Sequence, residues 1–173
     1  NSETLGDLDA GNFIYVAEGV TWVADLGADN TALYGYYLND TIRYHYYRKG
    51  VEGQNVVFVP EFPGTYKNAY GQFFDNNAQF YNYYSDENGS FALLDNKYAY
   101  NDIHDTVSGT YVSYARRGAM LTNSRKTFVI QDEISLVSIG SLVWMAHVAK
   151  NVVVDQSGRN AYMTAEVNGK TVT

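Results

Sequence analysis

Tyr111-Val112-Ser113-Tyr114-Ala115-Arg116-Arg117-Gly118-Ala119-Met120-Leu121-Thr122 is followed, after a short polar break, by Lys126-Thr127-Phe128-Val129-Ile130-Gln131-Asp132-Glu133-Ile134-Ser135. Both stretches are long enough for strands and rich in β-branched or aromatic residues. In the second, Phe128, Ile130, Asp132 and Ile134 fall on one face, because side chains alternate along a strand. A carboxylate in that company is costly unless paired and hydrogen-bonded. Arg116 or Arg117 on the preceding strand is the expected partner. We expect the pair to fix strand register rather than to catalyse.

Working outward, Val20 to Asp25 alternates Trp22 and Ala24 against Val23 and Asp25, and Asn55 to Val59 is a short apolar run. Ser141 to Ala149 and Asn160 to Val167 also read as strands. In Leu142 to Val148 both faces are apolar, which predicts a strand covered on both sides. Gln156-Ser157-Gly158 should reverse the chain after Val152–Val154, and Asn168-Gly169 is the strongest two-residue hairpin signal. Pro60 and Pro63 mark a surface excursion. No segment of about ten residues has helical period with caps. The expectation is an all-β, antiparallel β-sandwich with long strands and few or no helices, one domain over residues 1–173.

Composition narrows the function. A chain of 173 residues can bury ~70% of its unfolded surface without staples. Nineteen acidic against twelve basic residues give a net charge of −7, which disfavours nucleic acid as a partner. No apolar run approaches the ~20 residues of a membrane span, and the Asn1-Ser2-Glu3-Thr4 start lacks signal-peptide character. With no Cys, disulfides and thiolate chemistry are out. The unusual feature is 17 Tyr, a ring with a polar tip suited to half-wet β-surfaces and to the faces of sugars.

The tyrosines cluster. Leu26 to Gly53 does not read as strand, and it holds Tyr34, Tyr36, Tyr37, Tyr44, Tyr46 and Tyr47 with Arg43, His45 and Arg48 interleaved. Loops this long in a compact domain are functional or disordered, and so many rings argue against disorder. A second Tyr-rich stretch, Tyr66 to Tyr84, could edge the same surface. Arg43 and Arg48 could hold a carboxylate bidentately while Tyr44, Tyr46 or Tyr47 stack on sugar rings. Alternatively several of these tyrosines pack the loop onto the sheets, and about half are expected to do so. His45 reads as a surface residue or a substrate contact, His104 as solvated, and His147 as a satisfied core residue. Asn39-Asp40-Thr41 and Asn88-Gly89-Ser90 match the glycosylation pattern, which matters only in a eukaryotic secretory context.

Several segments taken together resemble the heparinase II/III-like polysaccharide lyases. They are Trp22 to Asn30, Gly35-Tyr36-Tyr37, Arg43 to Arg48 and Glu52-Gly53-Gln54-Asn55. Arg116-Arg117-Gly118, Val129 to Ile134, Trp144-Met145-Ala146-His147, Gly158-Arg159 and Gly169-Lys170 continue the match in order. The resemblance covers the family's β-sandwich portion, supersandwich-like in architecture, and not its N-terminal α/α-toroid. It implies descent from enzymes that cleave uronate-containing polysaccharides by β-elimination. Those enzymes use toroid residues and a sandwich His, with a metal beside that His held by two further His and an Asp.

Carried over position by position, the resemblance puts the catalytic His at Leu5 and the metal ligands at Asp7, Asp25 and Gln54. Every His of the constellation is replaced, and Leu can neither move a proton nor neutralise a carboxylate. The expectation is therefore a degenerate, non-catalytic module with no catalytic residue. It would bind a polysaccharide or oligosaccharide, acidic ones included, through Arg43, Tyr44, His45, Tyr46, Tyr47, Arg48 and Gln54. No cofactor is expected, although Asp7, Asp25 and Gln54 could hold a hard cation such as calcium through oxygen; the other reading is a hydrogen-bonded polar cluster. Two further readings stay open: the sandwich part of an active lyase completed by an adjacent toroid, and a purely structural interface domain. The resemblance also implies a secreted, periplasmic or envelope setting in bacteria.

Overall fold

The computed structural model describes residues 6–37, 42–60, 71–73, 78–101, 110–138 and 140–173. Leu5, His104, the Asn39-Asp40-Thr41 triplet and Pro63 lie outside these residues.

The fold is all-β and antiparallel. Its largest unit is a four-stranded sheet in the order β4 (Gln79–Ser85), β5 (Ser90–Asp95), β6 (Val112–Thr122), β7 (Thr127–Leu136). The two deciding stretches form β6 and β7, eleven and ten residues long. The remaining strands pair in twos: β1 (Tyr15–Ala17) with β2 (Val20–Val23), and β3 (Val57–Phe58) with β8 (Val143–Trp144). Likewise β9 (Val152–Val154) pairs with β10 (Ala161–Met163), and β11 (Ala165–Val167) with β12 (Lys170–Val172). Outside the four-stranded sheet the described strands are thus short ribbons, where the sequence predicts long strands. Three short 3-10 turns are the helical content of the described residues.

Local chemistry explains the agreements. Asn168 and Gly169 both have positive φ, 51° and 74°, the backbone a two-residue hairpin turn requires, and Val167 pairs with Lys170 across them. Gln156-Ser157-Gly158 reverses the chain between β9 and β10 as expected. It also explains two departures. The Asn160–Val167 run breaks at Thr164 into β10 and β11, each with its own partner. The Leu142–Val148 run is a strand only at Val143–Trp144, with one further bridge from Val148 to Val23. It is not covered on both faces, since Leu142 is 49% and Trp144 50% exposed. A two-residue pairing with β3 leaves one side of the run open.

Arg117 is the residue that joins the parts. It lies opposite Asp132 in the β6–β7 register. Its Nε and Nη2 donate to the two Asp132 carboxylate oxygens at 2.7 and 2.8 Å. Its Nη1 donates to the carbonyl oxygens of Gly11 (2.6 Å) and Asn55 (2.5 Å). Trp144 Nε1 donates to Asp132 Oδ2 as well. The expected paired carboxylate is there, and Arg117 rather than Arg116 holds it. Hydrophobic packing completes the join. Val59, Ala99, Tyr100, Val112 and Ala115 form one core cluster, with Ile134 against it. Leu8, Tyr44, Val51 and Val56 form another beneath the Tyr-rich loop, and Phe128 meets Phe13 and stacks on Tyr15.

Removing one partner of a buried ion pair strands the other charge, so Asp132→Ala should cost about 3 kcal/mol or more. Arg116→Ala, on the exposed face, should stay within about 0.5 kcal/mol. Denaturant unfolding checks both, and equal effects would contradict the assignment of Arg117 as the partner.

Candidate functional site

The loop from Leu26 to Gly53 folds by turns rather than strands. Tyr46 N donates to Arg43 O, Lys49 and Gly50 N to Tyr46 O, and Gly53 N to Gly50 O. Gly53 has no room for anything larger: a Cβ there would lie 2.0 Å from the Tyr47 carbonyl oxygen. Two turns so close together sort the side chains into an inner and an outer set.

The inner set is Tyr36, Arg43, Tyr44 and Lys49, all buried. The Arg43 guanidinium lies over the Tyr36 and Tyr44 rings, at 5.9 and 5.6 Å. This corrects the expectation that Arg43 and Tyr44 contact a ligand. Arg43 is fully buried, and its role is to hold the loop down. Gln54 is buried too, donating from Nε2 to Arg48 O. The outer set is Tyr34, Tyr37, His45, Tyr47 and Arg48, all exposed, with Tyr46 half-buried. Tyr46 donates its hydroxyl to Tyr34 O. Arg48 Nη1 reaches the carbonyl oxygens of Leu26 (2.8 Å) and Ala28 (3.3 Å). These contacts fix its guanidinium without neutralising it.

Behind the loop, Asn55 orders the polar groups and is itself fully buried. Its Nδ2 donates to the carbonyl oxygens of Phe13 and Ala24, which leaves Oδ1 as an acceptor. Oδ1 faces both the backbone N–H of His147 (2.7 Å) and its ring Nδ1 (3.1 Å). An amide oxygen only accepts, so neutral His147 carries its proton on Nδ1. Its Nε2, 2.9 Å from the Tyr47 hydroxyl, is then the acceptor of the Tyr47 proton. His147 is half-buried, on the border between core and surface. The expectation of a satisfied residue held, but its partners are polar.

The three positions proposed for a cation are tied up with neighbours. Asp7 Oδ1 is 2.5 Å from Lys49 Nζ. Asn12 Nδ2 donates to both Asp25 Oδ2 (2.7 Å) and Gln54 Oε1 (3.0 Å), and Gly27 N donates to Asp25 Oδ1. An ammonium and an amide thus meet the oxygens a metal would need. Among the described residues, no group of three acidic or His side chains converges as ligands would. Burial pushes the Asp7 carboxyl above its ordinary value, with Lys49 pulling the other way. Burial weighs against the Lys49 charge, yet Asp7 and the Tyr36 hydroxyl outweigh it and hold the ammonium above its usual range.

Lys49, Asn12 and Asn55 were missed by sequence reasoning. Asn55 had a signal, standing beside Gln54 in the quoted motif, but Lys49 and Asn12 are separated from their partners by 42 and 13 residues. Of the remaining sequence-level sites, Asn88-Gly89-Ser90 is the turn between β4 and β5, where Asp86 accepts from the backbone of Asn88 and Gly89. No family model matches the chain, and no curated protein matches it either.

Lys49→Met should destabilise by roughly 2–3 kcal/mol at neutral pH, the low end for a buried pair because Asp7 is partly exposed. It should also move the Asp7 titration further up. Protonating Asp7 relieves the unpaired charge, so the deficit should shrink as pH falls through that midpoint; a pH-independent deficit would contradict the pairing. Gly53→Ala should cost about 1–3 kcal/mol, read by thermal unfolding, because the obstacle is backbone.

Proposed function

We propose that the chain is a heparinase II/III-like β-domain that binds glycans without cutting them, with the outer face of the Tyr-rich loop as its contact surface. The observation that carries this reading is the sorting of the loop: Tyr34, Tyr37, His45, Tyr47 and Arg48 are exposed above a buried Tyr36–Arg43–Tyr44 footing. Rings held from beneath need little ordering when a flat sugar face stacks on them. Arg48, pinned by two carbonyls, retains its charge for an acidic substituent. The arrangement around Asp7, Asp25 and Gln54 supports descent without the ancestral metal chemistry, since Lys49 and Asn12 satisfy those oxygens.

A second reading, the β-portion of an active lyase completed by a helical toroid, is favoured by the Tyr47–His147–Asn55 chain alone. There an exposed hydroxyl donates its proton to a ring nitrogen whose tautomer a buried amide fixes.

Calorimetric titration with uronate-containing against neutral oligosaccharides tests the first reading. The wild-type chain should bind, and Tyr47→Ala with Arg48→Ala should weaken binding about tenfold or more, the size expected for one lost charge-assisted hydrogen bond and one stacking contact. Because both residues are exposed, folding should be unchanged by circular dichroism. No detectable binding by the wild-type chain would remove the reading. Appearance of unsaturated uronate in the ultraviolet, abolished by His147→Gln, would establish the second instead.

A further inference from the structure

The two faces of the four-stranded sheet differ sharply. The face bearing Arg117 and Asp132 turns to the core. The residues that alternate with them form an open face, with a trough of about 480 Å³ between its side chains. The register sorts this face into three rows across the sheet. Tyr84, Phe91, Met120 and Val129 make an apolar row, and all but Phe91 are exposed. Asn82, Leu93, Gly118 and Gln131 make the middle row. In the third, Gln79, Asp95, Arg116 and Glu133, a cation stands between two carboxylates. The Arg116 guanidinium carbon lies 5.9 Å from the centroids of both the Tyr81 and Tyr114 rings, which hold it in place.

Such a face fits its own reverse. A twofold axis along the strands, between β5 and β6, sets Asp95 of each copy against Arg116 of the other. Four charges of alternating sign then close a square, two from each copy. In the next row Leu93 faces the second copy's Gly118, and in the third Phe91 faces its Met120. A glycine in mid-strand gives up side-chain packing and marks a place where another element comes close. Gly118 is such a hollow, partly roofed by Leu93 of its own sheet: an added Cβ would stand 3.3 Å from Leu93 Cδ2. At the ~10 Å separation of packed sheets, side chains from both faces interdigitate. Neighbouring alignments fail. An axis on β6 sets Arg116 against itself, and one on β5 sets Asp95 against itself.

We propose that this face is an interface with a second copy of the chain, a face-to-face dimer about that twofold axis. The partner is chosen by the alternation of charge in one row and by exposed apolar side chains in another. None of the Tyr-rich loop takes part, so the glycan-binding reading stands or falls separately.

Sedimentation velocity of the intact chain over a range of concentrations is the test. The wild-type chain should show a monomer–dimer equilibrium. Arg116→Asp puts four acids in the square and Asp95→Arg four cations, so each alone should weaken self-association about a hundredfold or more. An equimolar mixture of the two variants should restore a dimer, because two acids then face two arginines. Circular dichroism checks each fold. Asp95 Oδ1 also accepts from Lys97 N, so Met120→Lys, an exposed site outside the charged row, serves as a second disruption and should also leave a monomer. A wild-type chain that stays monomeric to millimolar concentration would overturn the proposal. A dimer indifferent to Arg116→Asp and Met120→Lys would overturn it too, by placing the contact elsewhere, such as the rim of β4. So would two folded charge variants that fail to pair on mixing.

Discussion

The Arg117 guanidinium joins three separate segments of the described structure. A single planar group receives the Asp132 carboxylate on one edge and two main-chain carbonyls on the other. It thereby ties the four-stranded sheet to the N-terminal segment and to the end of the Tyr-rich loop. Apolar contacts alone are non-directional and would tolerate sliding between short ribbons and a sheet. A bidentate ion pair with two further acceptors does not, because each misplacement leaves a buried charge with an unmet donor. The short strands of the rest of the chain can be irregular because this joint is not.

Asn55 continues the same logic one step nearer the surface. Its carbonyl receives Arg117, its backbone N–H goes to Asn12, and its side chain sets the His147 tautomer. The core joint and the exposed Tyr47 hydroxyl are therefore separated by only two side chains, Asn55 and His147. Asn12, in turn, bridges Asp25 and Gln54. Asn12, Gln54 and Asn55 form a chain of amides in which each has both its roles assigned, the condition under which a buried network rigidifies rather than weakens a fold.

The sequence made some of this readable and concealed the rest for physical reasons. Asp132 on an apolar face demanded a cation, and strand adjacency limited the choice to two arginines. Asn168-Gly169 demanded positive φ and received it. By contrast β4 and β5 were hidden, since Gln79–Ser85 has no alternation of polarity to detect: all seven of its residues are exposed. The Ser141–Ala149 run looked like a buried strand because its composition is apolar, yet composition cannot reveal how few residues its partner β3 offers. Within the loop, the residue types pointed to sugar contact, but the turn geometry that sends Arg43 inward and Arg48 outward depends on Gly53 meeting the Tyr47 carbonyl. That is a contact between atoms every residue shares, and no side-chain pattern announces it.

The rim of the large sheet carries a cost. Among the described residues, strand β4 has a strand partner on one side alone, over seven residues without one Lys, Pro or acid among them, and the register slip at Tyr81 interrupts it as a template for a foreign strand. A net charge of −7 opposes the approach of two such rims through long-range repulsion. Resistance to edge pairing is therefore a property of the surroundings as much as of the fold, strongest in dilute electrolyte and weakest where counterions are plentiful or the acid groups are discharged.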